Sequence, residues 1–139
     1  MPIINFAHEL CYSNIYLNIT LKENCTMDSR IKYLEEIDKL VEEFKSELPE
    51  AYAARDRFND MIYEDGALST KVKRLMAMSM AIRIECTSCI IYQTKMAIES
   101  GATKKEIVEA ASVASAMGGT SASSGLWMVV QTMKDLGKW

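Results

Sequence analysis

The chain has 139 residues and a formal net charge of −3, the size of one compact domain with room for a sizeable core. Hydrophobic residues make up 49% and charged residues 25%, which excludes a disordered composition; the mildly acidic balance, with no basic block, argues against a nucleic-acid partner. Aromatics are 8% and Pro only 2, against 10 Met and abundant Ala, so helices are favoured over a β-sandwich or barrel.

Residues 1–27 show no sustained period and contain Cys11, Cys25 and His8, the only histidine. They read as an N-terminal arm that packs on the core or on a neighbouring subunit. A competing reading takes Met27 as the natural start and residues 1–26 as a mis-assigned extension. The expected division is thus an arm over 1–27 and a helical domain over 28–139.

Six helices are predicted from residue 28 onward. Asp28 is the expected cap of the first, whose apolar stripe is Ile31, Leu34, Ile37, Leu40, Val41 and Phe44. Pro49 suits the first turn of the second, which runs to about Tyr63 and breaks at Glu64-Asp65-Gly66. Ser69 caps the third, and Met76, Met78 and Met80 in it read as core filler. The fourth spans about Thr87 to Ser100, with Gly101 as its stop. Thr103 and Glu106 form a capping box for the fifth, with Ile107, Ala110, Ala111, Ala114 and Met117 as its stripe and Gly118-Gly119 as its expected end. The sixth carries Leu126, Val129, Val130, Met133 and Leu136. The Ala, Ser and Gly content of residues 69–125 predicts a tight bundle, because small residues let helix backbones approach closely.

No apolar run reaches the roughly 18 residues of a membrane span. The N-terminus has no basic start followed by an apolar stretch, so no secretory signal is read. The Asn-x-Thr sequons at Asn18 and Asn24 then read as chance. The cytoplasm is the expected compartment, where a Cys-x-x-Cys is more often redox or metal chemistry than a staple.

Cys86-Thr87-Ser88-Cys89 is the sharpest chemical feature. Cysteines three apart fall on one side of a helical turn, within reach of a disulfide after small adjustment. The preceding helix is expected to end near Glu85, with Thr87 or Ser88 capping the next. The pair would then sit at a helix N-terminus, where free N–H groups and the macrodipole favour the reactive thiolate. Ile90, Ile91 and Tyr92 would shield one sulfur from water. Three other readings stand beside this one. The thiols could be buried and inert. They could hold zinc with Cys11, Cys25 or His8, at irregular spacing. All four cysteines could hold an iron–sulfur cluster, although no ferredoxin-type run is present.

Leu68-Ser69-x-Lys71-x-Lys73-Arg74-Leu75-Met76-Ala77, then Cys86-x-x-Cys89, then Ala97-x-x-x-Gly101-Ala102-Thr103-x-x-Glu106-Ile107-x-Glu109-Ala110, then Met117-Gly118-Gly119, resembles the carboxymuconolactone decarboxylase superfamily. The Cys-x-x-Cys points to its AhpD-like (alkylhydroperoxidase) branch. The resemblance covers about residues 65–135, roughly half the chain. It implies an all-α helical bundle that assembles into trimers or hexamers and uses no cofactor or metal. It also implies that Cys89 attacks peroxide, while Cys86 resolves the sulfenic acid and exchanges with a thiol or dithiol reductant.

Two positions depart from the family pattern. A His is expected four residues after the second cysteine, and Gln93 stands there. An acidic residue is expected twelve before the first, and Arg74 stands there. Gln cannot shuttle protons near neutral pH and can only orient a water or substrate. Arg74, if it faces the pair, would lower a thiolate pKa by its charge; its bland reading is a surface or intersubunit ion pair. Glu85 and Tyr92 are the nearby titratable groups that could replace the relay, the bland readings being a solvated helix end and a packing residue.

The leading function is a thiol–disulfide oxidoreductase with weak peroxidase activity on a peroxide or disulfide substrate. A non-catalytic oligomeric or binding protein on the same scaffold is the alternative. A carboxymuconolactone decarboxylase-type enzyme is a further one, but that chemistry does not call for a Cys-x-x-Cys. Cys11 and Cys25 are expected to be dispensable for redox chemistry.

Overall fold

The computed structural model describes residues 29–139. Six helices follow one another: α1 (Arg30–Lys45), α2 (Pro49–Tyr63), α3 (Thr70–Arg83), α4 (Thr87–Glu99), α5 (Lys104–Ser123) and α6 (Leu126–Asp135). Among the described residues there is no strand.

Local chemistry sets most of the boundaries. Ser29 caps α1, its Oγ accepting from the N–H groups of Ile31 at 3.2 Å and Lys32 at 3.4 Å. The expected cap Asp28 lies outside the described residues. Pro49 opens α2, where its missing N–H costs nothing. Ser69 caps α3 through Val72 N–H, and Thr103 and Glu106 form the capping box of α5. Gly101, at φ 84°, ends α4 in the left-handed conformation that glycine tolerates best.

The core lies where α3 packs on α4 and α5, and where α6 closes against α4. Met78, Ala81, Ile82, Ile90, Ile107, Ala111, Ala114, Ala122, Val129 and Met133 fill it. Ala81, Ala111, Ala114 and Ala122 are the small residues that let these helices close up. The half-buried Ser79 hydroxyl sits in the α3–α5 seam, its Oγ within donating reach of Leu75 O at 3.0 Å and Ala110 O at 2.8 Å. Buried Thr94 and Thr132 donate back to the carbonyls of Ile90 and Met128, each at 2.7 Å. The ion pair of Lys71 with Glu106, at 2.7 Å, fastens α3 to the start of α5.

α1 lies against α4 and α6 near its N-terminus. There Arg30 N–H donates to Asp135 at 2.7 Å and the Arg30 guanidinium sits 5.7 Å from the Trp127 ring. α2 is tied to the end of α1 by Lys45 to Asp56 at 3.0 Å and by an edge-to-face Phe44–Tyr52 pair at 5.9 Å. No residue of α2 is buried.

Three expectations need correction. The apolar stripe of α1 is buried only at Leu34; Leu40, Val41 and Phe44 are exposed because, among the described residues, the second half of the helix meets little besides the Tyr52 and Asp56 side chains of α2. Of the three methionines in α3 only Met78 is core, and Met76 and Met80 are 48% and 59% exposed, since alternate residues on a helix diverge in direction. Met117 leaves the stripe of α5 at 81% exposed. As expected, the helix that starts at Lys104 breaks at Gly118-Gly119: Gly119, at φ 60° and ψ −145°, is not helical, and a separate set of helical turns runs on from there to Ser123. Gly118 marks a close approach there, because a Cβ would fall 2.3 Å from Ala122 Cβ and 3.1 Å from Arg83 Cδ.

Candidate functional site

The turn between α3 and α4 builds the site. Glu85 N–H donates to Ile82 O and Cys86 N–H donates to Ala81 O, each at 3.2 Å, the bond pattern of a Schellman stop. The left-handed position of that motif is usually glycine. Here it is Glu85, at φ 59°. A non-glycine residue in this conformation costs about 1–2 kcal/mol, so its neighbours must hold it there. The Glu85 carboxylate accepts a hydrogen bond from the Ser121 hydroxyl on α5, just past the Gly119 kink.

This tight turn delivers Cys86 directly to the N-cap of α4, where its carbonyl accepts from Ile90 N–H at 2.9 Å. Cys86, not Thr87 or Ser88, is therefore the N-cap, and no side-chain hydrogen bond satisfies the first-turn N–H groups. Cys86 and Cys89 are joined by a disulfide, with Cα atoms 5.2 Å apart. Cys89 packs against the core, while Cys86 Sγ lies 3.7 Å from Ser88 Oγ at the turn. When the bond is reduced, a sulfur anion at this end of the helix meets unpaired N–H donors and the positive end of the macrodipole. The pair is thus engaged in its own bond. Cys11, Cys25 and His8, the other zinc or iron–sulfur ligands considered, lie outside the described residues.

Arg74 on α3 and Gln93 on α4, the two departures from the family pattern, meet each other. Arg74 Nη1 donates to Gln93 Oε1 at 3.3 Å, and Gln93 Nε2 donates to Tyr63 Oη at 3.4 Å. The Arg74 guanidinium lies 3.5 Å from the Tyr63 ring centroid and 6.0 Å from that of Tyr92. Arg74 Nε is buried with no acceptor among the described residues.

Two cavities adjoin this cluster, with Tyr92 and Gln93 lining both. One, of about 250 Å³, is bordered by Leu34, Ile37, Asp38, Ser88 and Cys89. The other, of about 400 Å³, is bordered by Lys45, Asp56, Asn59, Asp60, Tyr63 and Arg74. On its rim the bond from Lys45 holds the Asp56 carboxyl below its ordinary range, while the bonds Lys45 donates to Glu42 and Asp56 raise its own pKa.

The structure therefore gathers Cys89, Tyr92, Gln93 and Arg74 around adjoining cavities. Arg74 spends its hydrogen bond on Gln93 and not on a sulfur, and it is in no ion pair among the described residues. Glu85 lines neither cavity and turns to α5 instead. Sequence reading missed Tyr63, whose role arises only when the end of α2 meets α3 and α4; no spacing signal marks it.

An all-helical chain with a Cys-x-x-Cys disulfide at an uncapped helix start, flanked by a helix pair that brings residues 74 and 93 together, defines the class. The pattern of the carboxymuconolactone decarboxylase family matches residues 49–131, and the chain belongs to that family. A carboxymuconolactone decarboxylase family protein from Legionella pneumophila, solved in its apo form, superposes with a TM-score of 0.68 at 25% identity, covering 78% of this chain and 94% of that one. A Thermotoga maritima protein superposes with a TM-score of 0.70 at 26% identity, covering 76% and 93%. A second crystal structure of it, described as a carboxymuconolactone decarboxylase family protein with a suggested involvement in antioxidative response, gives 0.68 at 25%, covering 76% and 90%. An uncharacterized protein of Cupriavidus necator is 32% identical over 56 residues, 40% of this chain; the chain spans half the length of that curated relative.

Proposed function

We propose that this chain is a thiol–disulfide oxidoreductase of the AhpD-like branch, working through Cys86 and Cys89. The observation that carries the reading is the disulfide between them at the N-terminus of α4, where Cys86 is the cap and the first-turn donors are free. In the reduced protein, the Cys86 thiolate attacks a substrate disulfide and displaces one substrate thiolate, leaving a mixed disulfide. The Cys89 thiolate then attacks Cys86 sulfur and releases the second substrate thiol. Two electrons pass to the substrate and the protein is left oxidised. A thiol or dithiol reductant restores it, becoming a disulfide itself.

Peroxide is a slower second substrate. The Cys89 thiolate attacks one peroxide oxygen, the O–O bond breaks, and an alkoxide leaves as Cys89 becomes a sulfenic acid. Cys86 condenses with it, forming the disulfide and releasing water. The departing alkoxide needs a proton, and neither Gln93 nor Arg74 can deliver one near neutral pH. The suggested antioxidative involvement of the Thermotoga maritima relative favours keeping this second substrate in view. The same reading places the chain in the cytoplasm as a trimer or hexamer; among the described residues no helix is long and apolar enough to cross a membrane.

Insulin reduction in the presence of dithiothreitol tests the proposal. Wild-type protein should accelerate the reaction, and Cys86→Ser and Cys89→Ser should each abolish the acceleration. An unaccelerated reaction, or undiminished rates in both variants, would refute it.

A further inference from the structure

Arg74 is a permanent cation in an unusual setting. The ion pairs among the described residues join Arg30, Lys45, Arg55, Lys71 and Lys95 to carboxylates, and Arg74 is in none of them. It is not solvated like a surface arginine either. The residue is half-buried, one N–H is shut off from water without an acceptor, and one face is covered by the Tyr63 ring at 3.5 Å. An under-solvated charge without a counter-charge is costly, and its hydrogen-bonding groups are held in place by Gln93 and Tyr63. The cavity of about 400 Å³ beside it is large enough for an organic anion.

The acidic groups on the cavity walls do not supply the missing charge. Asp56 is bonded to Lys45 at 3.0 Å, and Asp60 is exposed to water. Beyond Tyr92 and Gln93 the neighbouring cavity offers Leu34, Ile37 and Cys89, with Asp38 exposed at its edge. A ligand lying across both would have a negative end and an apolar body. We infer that the Arg74 cavity binds the carboxylate of a small organic acid, the apolar body of the acid running past Tyr92 toward Leu34 and Ile37. Arginine is suited to this because it stays charged and the N–H groups not bonded to Gln93 or shut off from water can give a carboxylate a charge-assisted hydrogen bond. The inference goes beyond the redox reading and stands without it, because binding is measured without turnover.

The test is calorimetric titration of the full-length protein with octanoate, with octanamide as the uncharged match and with inorganic phosphate as an anion lacking an apolar body. Octanoate is expected to bind about tenfold or more tighter than octanamide, the scale of a hydrogen bond to a charged group, and phosphate far more weakly than octanoate. Arg74→Gln should bring octanoate down to the level of octanamide, with helical circular dichroism unchanged. If that variant fails to fold, the three-ligand comparison on the wild-type protein decides alone. Equal affinity for octanoate and octanamide, no octanoate binding, phosphate binding as tight as octanoate, or undiminished octanoate binding by folded Arg74→Gln would each overturn the inference. Failure of the insulin assay would leave it untouched.

Discussion

At the scale of single residues, the site divides into a sulfur pair and a charged cluster. Cys86 and Cys89 belong to one helical turn, so a disulfide between them was within reach on spacing, beside the inert-thiol and metal readings, and the structure joins the two. The Arg74–Gln93–Tyr63 cluster joins three helices. Sequence placed Arg74 and Gln93 at positions of interest, but their mutual bond and the stacked Tyr63 needed the fold. The pairing makes a proton relay the missing part. Restoring the histidine in Gln93→His should therefore raise peroxidase turnover, and general acid–base help of this kind is worth about 10²–10⁴-fold at its best. Steady-state peroxide consumption at neutral pH checks this. Unchanged turnover would remove position 93 from the reaction. Glu85 shows the opposite limit of sequence reading: it was noticed for its charge, whereas its strained backbone and its bond to Ser121 are what shape the cysteine turn.

At the scale of elements, the helix starts were legible because caps are local chemistry. Ser69 and the Thr103–Glu106 box stand where the sequence placed them. The break at Gly118-Gly119 was legible too, but not that further helical turns resume directly after it and run to Ser123. Gly119→Ala puts a Cβ into the left-handed backbone at φ 60°, and should destabilise the fold by about 1–3 kcal/mol, readable by urea denaturation. A neutral effect would mean that α5 runs on without the kink. The α3–α5 clasp predicts a pH dependence. Bonds from Lys71 and from Thr103 hold the Glu106 carboxyl at about 2, below its ordinary 4.5. The folded value is depressed, so the contribution is fully present above pH 4.5 and is lost as pH falls through about 2. The Tm gap between wild type and Glu106→Gln should therefore be widest near neutral pH and close over that window. A gap that is constant down to pH 2 would show that the Glu106 charge adds nothing.

At the scale of the whole molecule, much apolar surface has no partner among the described residues. Leu40 and Phe44 of α1, Phe58, Met61 and Ile62 of α2, and Val113 and Met117 of α5 are all exposed. Periodicity marked Leu40 and Phe44 as part of an apolar helix face but cannot say whether a face meets its own core or another chain, since both bury the same stripe. Helix α2, with no buried residue, is the element for which a single chain gives least cover. Sedimentation at micromolar concentration should find a trimer or hexamer, and Met61→Asp should shift it toward smaller species while leaving helical content intact. A wild-type monomer would refute the assembly.

The redox cycle proposed for the cysteine pair is tested most directly by peptide mass spectrometry of the full-length protein after mild peroxide and again after reductant. Trypsin cuts after Arg83 and Lys95, so both cysteines fall within the single peptide 84–95. The predicted result is a loss of two hydrogens from that peptide on oxidation, regained on reduction, with Cys11→Ser/Cys25→Ser protein behaving the same way. A pair that stays as free thiols under peroxide, that holds zinc, or that crosslinks to Cys11 or Cys25 would contradict it.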